Sequence, residues 1–402
     1  MFGRLILSFV VIFGIIGTIV ARDRWSVQHA ALWQSKIGWK AGANFVPSTA
    51  VNELEMFQEA TFDITTIDRE LNYAESLGFG VVRVFLHNLL WTQDPKGFLD
   101  RVDQFLELTE KHKISVMLVL LDSCWLPSAT LGPQPDPIPG VHNSQWVQAP
   151  GSEIINDPVQ FDELQEYIQG VVVRFRNDHR VLAWDIWNEP DNSGYSDELI
   201  APLLLKVANW VREVDPTQPI TTPVWTDPSS ANYTSFQRMQ MDNSDVISFH
   251  SYDDASKTQM ALDNFKAYQP GRPVICTEYM ARTQNSTFEP HMQLMKDANV
   301  IAINWGLVSG KYKVPYEVDG SYYYYYNIQH STAYIYIYKS HKYLLISYMY
   351  PGKIQTIYPW STCTVPAIEP PAVWFHDILN SDGSAFNSSE VTYIQSLTRT
   401  GN

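Results

Sequence analysis

Eight short apolar runs, each followed by a stretch of helical periodicity, predict an α/β chain closed into a single-domain parallel barrel, the (β/α)8 TIM barrel architecture. Two further observations agree. The run of residues 115–121 is almost wholly apolar, as expected for a strand covered on both faces. Residues 36–311 hold the eight runs, which is near the length such barrels usually have.

The strands are expected at residues 40–46, 81–86, 115–121, 181–188, 219–225 (the weakest), 246–250, 273–278 and 300–306. Thr65-x-x-Asp68 resembles a capping box and opens a helix through Ile67, Leu71, Ala74 and Leu77, which Gly78 ends. Helices are also expected at 98–112, 160–175, 199–214, 261–268 and 291–298, with a last one at 387–397 capped by Asn387. Pro190 has no backbone N–H, so the fourth strand must stop at Asn188-Glu189-Pro190.

Two stretches break the pattern. Residues 122–157 lose all periodicity and carry six prolines with Trp125 and Trp146, and a loop of this length is usually functional or disordered. Residues 312–353 hold 13 of the chain's 22 tyrosines, including five in a row at 322–326 and the alternation Tyr334-Ile-Tyr-Ile-Tyr338. Tyr, Ile, Lys and Asn are the products of A/T-rich codons. The segment is bracketed by Gly310-Lys311 and Gly352-Lys353, and its removal leaves a loop of ordinary composition. It reads as a low-complexity insertion after strand eight, either translated intron or a genuine Tyr-rich insertion. The barrel domain is therefore placed at 36–398, interrupted at 312–353.

Met1-Phe-Gly-Arg4 precedes an uncharged run over residues 5–21 and then Arg22-Asp-Arg24. Residues 1–21 read as a secretory signal, with an uncleaved membrane anchor at 5–21 as the alternative. The sequons at Asn232, Asn285 and Asn387 agree with a secreted, extracellular glycoprotein. The formal charge of −15 with no basic run argues against nucleic acid or an anionic membrane as partner. Aromatic content of 13% favours a neutral carbohydrate, since sugars stack on aromatic faces. The three cysteines lie too far apart for a zinc motif, and Cys124 and Cys276 read as small apolar fillers. No metal or organic cofactor is expected, and the chain is expected to be a monomer.

The chemistry concentrates at Trp184-Asp-Ile-Trp-Asn-Glu-Pro-Asp191 and at Thr277-Glu-Tyr279. A carboxylic acid at the end of a buried strand is costly unless it has a partner or a task. Glu189 and Glu278 close strands four and seven, so the barrel can bring them together across its C-terminal face. Paired carboxyl groups are what glycoside hydrolysis requires, one to protonate the leaving oxygen and one to attack the anomeric carbon or activate water.

With Trp187-Asn-Glu-Pro190, His250-Ser-Tyr252, Thr277-Glu-Tyr279 and Trp305 on strands of matching rank, the chain resembles the (β/α)8 glycosidases with acid/base on strand four and nucleophile on strand seven, most closely glycoside hydrolase family 5, cellulase- or mannanase-like. The resemblance implies a retaining hydrolase of a neutral β-linked polysaccharide. Glu189 would be the acid/base and Glu278 the nucleophile. Asn188 would bind the sugar 2-hydroxyl, and Tyr252 and Arg83 would hold Glu278. His250 would contact sugar or the acid/base, and Trp305 would stack under the reacting ring. Trp125 is the first of several expected stacking platforms, with Trp91, Trp146, Trp187, Trp225 and Trp360. The chain departs from the family at the end of strand three, where Leu121-Asp-Ser-Cys-Trp125 has no histidine, and His87 is a candidate to fill that space. A non-catalytic carbohydrate-binding barrel and a transglycosylase are the alternatives.

Overall fold

The computed structural model describes residues 21–309, 321–322, 338–339 and 353–399. The expected signal segment lies outside the described residues but for Ala21, and so does most of 312–353, of which Ser321–Tyr322 and Tyr338–Lys339 pair antiparallel. Strands β1 (Ala41–Asn44), β2 (Val81–Phe85), β3 (Ser115–Val119), β4 (Val181–Asp185), β5 (Ile220–Thr221), β6 (Ile247–Ser251), β7 (Val274–Tyr279) and β8 (Ile301–Asn304) pair parallel in the order β5-β4-β3-β2-β1-β8-β7-β6. At the remaining seam Val224 donates to the Ser248 carbonyl at 3.0 Å and accepts from the His250 N–H at 3.1 Å, which closes the ring. The fifth strand is shorter than expected because Pro223 has no N–H to give the ladder.

Helices Ile64–Ser76, Pro95–Lys111, Phe161–Phe175, Asp197–Val214, Ser235–Asp242, Ala255–Tyr268, Phe288–Asp297 and Ser388–Thr398 follow the strands in turn. The first begins earlier than expected: Asp63, not Thr65, is the cap, accepting from the Thr66 N–H at 3.0 Å. Asp94 and Pro95 likewise start the second helix ahead of Phe98. Ser235–Asp242 was not expected, although Thr234 and Gln237 form a capping box at its head. Among the described residues no helix is long and apolar enough to cross a membrane.

Period-two alternation sorts the strand residues into two cores. Val82, Val84, Val116, Leu118 and Trp184 point out under the helices, while Val81, Met117, Ala183, Ile275 and Ile303 point into the barrel. Truncating Met117, Ile275 or Ile303 to Ala costs about 2–5 kcal/mol. Gly42 is required on β1, since a Cβ there would stand 1.7 Å from the Val81 carbonyl oxygen. An unexpected helix, Val27–Ile37, seals the barrel floor with Trp25 and Ala30, and Arg22 pairs with Asp245 at 2.5 Å to hold it. Sealing the N-terminal end leaves the C-terminal mouth, where Arg83, Asp185 and Glu278 form the next inward layer, as the open face.

Candidate active site

Arg83 is the hub of that layer. It is fully buried, and its five N–H groups are all used. Nε and Nη2 donate to Asp185 Oδ2 at 3.1 and 2.7 Å, Nη1 to Asn44 Oδ1 and Glu278 Oε1 at 2.8 Å each, and Nη2 to Asn188 Oδ1 at 2.6 Å. Burial alone would lower the guanidinium pKa, but Asp185 and Glu278 outweigh it and hold it above its ordinary value. The residue thus grips β1, β4 and β7 at once from β2.

Glu278 takes a second bond from the Tyr252 hydroxyl at 2.7 Å. Burial pushes its carboxyl above the usual range, with His250, Arg83 and Tyr252 pulling it back and Glu189 reinforcing the rise. Both partners donate, so the arrangement is built for the ionised form.

Glu189 lies in the turn beyond β4 with φ +44°, in the left-handed region that is uncommon for a residue with a Cβ. The turn aims its carboxyl at His250 Nδ1, 2.7 Å from Oε1, and at Asn192 Nδ2, 2.5 Å from Oε2. Cys124 Sγ stands 3.2 Å from Oε2. Burial raises this carboxyl too, against the hydrogen bonds from Asn192 and Cys124 and the field of Arg83.

His250 lies between the carboxylates, with Nε2 at 3.6 Å from Glu278 Oε1. Burial pushes its imidazole down to about 4, so it is neutral at neutral pH. With its hydrogen on Nε2 it faces Glu278, and the Nδ1 lone pair then accepts a proton carried by Glu189. The other tautomer would turn a lone pair on the Glu278 carboxylate. With the hydrogen on Nε2 the geometry suits a proton on Glu189 and a charge on Glu278.

These groups open into a cavity of about 660 Å³ whose lining includes Asn188, Glu189, His250, Tyr252, Glu278, Trp305 and Trp125, seven of the eight residues singled out in the sequence. Arg83 is the exception. It lies beneath the lining and reaches the cavity only through Glu278 and Asn188, so it is not a direct sugar contact. Of the expected platforms Trp146, Trp225 and Trp360 also face the cavity, whereas Trp91 and Trp187 do not. Trp187 is fully buried with Nε1 on Ser123 Oγ at 2.9 Å, and Trp91 packs on Gly170. His87 does not fill the gap after strand three: it is buried outside the lining and caps helix Asn88–Gln93. Asp122 occupies that position instead, accepting from Trp146 Nε1 at 2.6 Å and Asn188 Nδ2 at 2.9 Å. Cys124 lines the cavity, and burial raises its thiol well above the ordinary value, so it is an inert neighbour of Glu189 rather than an apolar filler. Cys276 is a fully buried filler on β7.

One oxygen each of Glu189 and Glu278 and a ring nitrogen of His250 lie within 4.8 Å of one another, a spacing a cation could bridge. The donor set opposes it, because Glu278 already takes Arg83 and Tyr252 and the guanidinium fixes a positive charge 2.8 Å away.

Residues 47–336 match the family model Cellulase (glycosyl hydrolase family 5). Mannan endo-1,4-beta-mannosidase F of Aspergillus clavatus is 25% identical over 124 residues, 31% of this chain and 26% of that protein. Mannan endo-1,4-beta-mannosidase A of Hypocrea jecorina is 21% identical over 264 residues, 56% of this chain and 58% of that protein. The chain thus spans about a quarter and somewhat over half of the length of these two relatives. The solved exo-beta-1,4-mannosidase of Opitutaceae bacterium strain TAV5 superposes with a TM-score of 0.54 at 14% identity, covering 90% of this chain and 59% of that one, and shows a shared fold.

Proposed function

Because the chain belongs to glycosyl hydrolase family 5, we propose that it hydrolyses O-glycosidic bonds of a neutral β-linked polysaccharide or oligosaccharide with retention of anomeric configuration. The names of the two relatives favour β-1,4-mannan over β-1,4-glucan as the substrate. The observation that carries the mechanism is the separation of the carboxylates. Their facing oxygens lie within 4.8 Å. Retaining enzymes hold the two groups about 5–5.5 Å apart, whereas inverting ones need about 6.5–9.5 Å to admit water.

In the first step Glu278 attacks the anomeric carbon while Glu189 protonates the departing oxygen, so a C–O bond to Glu278 forms as the glycosidic C–O bond breaks. In the second, Glu189, now ionised, takes a proton from water, whose oxygen attacks the same carbon and releases Glu278. Arg83 and Tyr252 orient the nucleophile. Asn188 offers the 2-hydroxyl the N–H that otherwise rests on Cys124 Sγ at 3.5 Å, and Trp305 carries the ring. The uncharged run at 5–21 and the three sequons support a secretory route for the enzyme.

The test is turnover of mannan, cellulose, xylan and β-1,3-glucan beside aryl β-mannosides and β-glucosides, with the first-formed anomer read by NMR. The expected product is the β-anomer from a mannan-type substrate. An α-anomer as first product would sink the retaining mechanism, and no turnover on any substrate would sink the hydrolase reading.

A further inference from the structure

We infer that the cavity is closed at its glycone end, so that the enzyme trims sugars or short saccharides from the non-reducing end of a chain rather than cutting inside it; this rests on the hydrolase reading above. The observation is the seam between two loops, the one at 122–157 after β3 and the one that resumes at 353 after β8. Gln355 Nε2 donates to the carbonyls of Ile138 and Val141 at 2.6 and 2.9 Å, and its Oε1 accepts from the Gly140 N–H at 3.1 Å. Asn143 donates to the Ile354 carbonyl and Ala367 to the Gly140 carbonyl, each at 2.9 Å. His142 adds two more links, its N–H to Thr362 Oγ1 at 3.0 Å and its Nδ1 to the Tyr358 carbonyl at 2.8 Å. A Cβ on Gly140 would lie 2.0 Å from the Ala367 carbonyl oxygen, so the loops meet at a distance that only glycine allows. Gln355 is 1% exposed. A buried seam of this kind is a fixed wall.

The wall stands over one half of the barrel mouth. Trp146 and Ile354, one from each loop, pack with Phe85 of β2, Val119 of β3 and Trp305 beyond β8. Those strands, with β1 between them, are consecutive in the ring. His142 and Trp146 line the cavity from this side and are almost fully buried. On the opposite margin, made by the loops after β4 and β5, Ser193 and Asp227 line the same cavity and are open to solvent.

Chemistry decides which end of the substrate meets the wall. The proton donor must touch the scissile oxygen, so the leaving part of the chain lies on the Glu189 side, over β4 and the open margin. The sugar that Glu278 attacks lies toward Trp305. Any sugar beyond it, toward the non-reducing end, would have to pass over β1 and β2, where Trp146 and Ile354 already stand. The cavity volume of about 660 Å³ is that of a compact-ligand site rather than of a trough for a long polymer.

The experiment uses the full chain with mannohexaose and cellohexaose labelled at the reducing end. Each is offered either free or with the non-reducing terminal 4- and 6-hydroxyls bridged by a ketal. Stepwise shortening of the free hexaose from its unlabelled end is expected, with the blocked form slowed about 100-fold or more by steric exclusion. Equal rates on blocked and free hexaose, or internal fragments from the first time points, would overturn the closed-end inference and leave the hydrolase reading standing. Loss of turnover on aryl β-glycosides as well would remove the hydrolase reading itself, and the inference with it.

Discussion

Asp122 accepts a hydrogen bond from the Asn188 amide nitrogen at 2.9 Å, and this decides which way the amide faces. At its other end Asn188 Oδ1 is held by Arg83 Nη2 at 2.6 Å. With both atoms tied, the second N–H has only the long contact to Cys124 Sγ at 3.5 Å to give up in order to meet the sugar 2-hydroxyl, a contact that strengthens in the transition state. The second Asp122 oxygen takes Trp146 Nε1 at 2.6 Å, so replacement by Asn forces a donor against a donor on one side or the other. Asp122→Asn should therefore lower kcat/KM about 10- to 100-fold, the worth of one buried hydrogen bond of about 1.5–3 kcal/mol. A 2-deoxy glycoside should lose far less, since it has no 2-hydroxyl to miss. Burial pushes the Asp122 carboxyl up to about 6, so its proton arrives as pH falls through that value and removes an acceptor. The rate advantage of the 2-hydroxy substrate over the 2-deoxy one should shrink below about pH 6. Equal losses on both substrates would show that Asp122 only supports the fold.

The two carboxylates separate by leaving group. Glu278→Ala removes the attacking atom, so turnover should vanish on every substrate. Glu189→Gln removes a proton donor, a contribution of about 10²–10⁴-fold where the leaving oxygen needs protonation. Oligosaccharides should show that loss, while formation of the covalent intermediate from a 2,4-dinitrophenyl glycoside should stay close to the wild-type rate. Burst kinetics measure this directly, and a Glu278→Ala protein with full activity would return both residues to a structural role.

Much of this site is readable along the chain because strand order converts into position. Glu189 and Glu278 end runs four and seven, and a closed ring must bring such ends to one face. What escapes is the support, and the reasons differ. Asp185 lies two residues before Trp187 within an apolar run, where alternation places it inward, but only the Arg83 contact at 2.7 Å gives it a purpose. Asn192 lies outside every motif, and its bond to Glu189 depends on the left-handed turn at φ +44°. His142 falls in a stretch without periodicity, and its place is set by a carbonyl over two hundred residues away at Tyr358. Trp187 and Trp225 look alike in sequence, yet one is core and the other faces the cavity, because the path of the chain beyond each strand end and not residue type decides.

The pH profile offers a separate handle on Glu189. Activity requires Glu278 ionised and Glu189 protonated, so it falls in acid as Glu278 gains its proton and in base as Glu189 loses its own. Asn192 donates to the Glu189 carboxylate at 2.5 Å and so favours the charged form. Asn192→Ala takes that support away, the Glu189 pKa rises, and the basic limb of kcat/KM should move to higher pH while the acid limb stays in place. A downward move of the basic limb would contradict the assignment of Glu189 as the acid.

Arg83→Lys tests the hub. An ammonium has three N–H groups on one atom and cannot reach Asp185, Asn44, Asn188 and Glu278 together. Breaking a buried network of this kind costs about 3–5 kcal/mol, because the acids left behind stay buried. Urea unfolding should show that loss, and kcat should fall with little change in KM, since Arg83 lies outside the cavity lining. Wild-type stability in the Lys variant would mean that the network is not cooperative.

Residues 312–353 are proposed to be dispensable, and the flanking structure says why their removal should be tolerated. Before the segment, Val308–Ser309 pairs in parallel with Leu379–Asn380, so that side is tied to the barrel by chain that lies beyond the insertion. At its last residue, Lys353 donates to the Ser48 carbonyl at 3.2 Å and its ammonium pairs with Glu55. The repeat of Gly-Lys at 310–311 and 352–353 means that excision places Lys311 directly before Ile354, where Lys353 now stands, so the partner of Glu55 is restored. Shortening a surface connection changes loop-closure entropy only slowly, about 0.6 kcal/mol per halving of length. A protein lacking 312–353 should therefore be no less stable than the full chain, gaining up to about 3 kcal/mol over the more than five halvings of this connection, and should keep its kcat/KM on an aryl β-glycoside. It should also be the more soluble, because a β-prone, weakly charged tyrosine run has been removed. Collapse of folding or activity in the shortened protein, or a mature transcript that encodes the segment in frame, would show that these residues belong to the working enzyme.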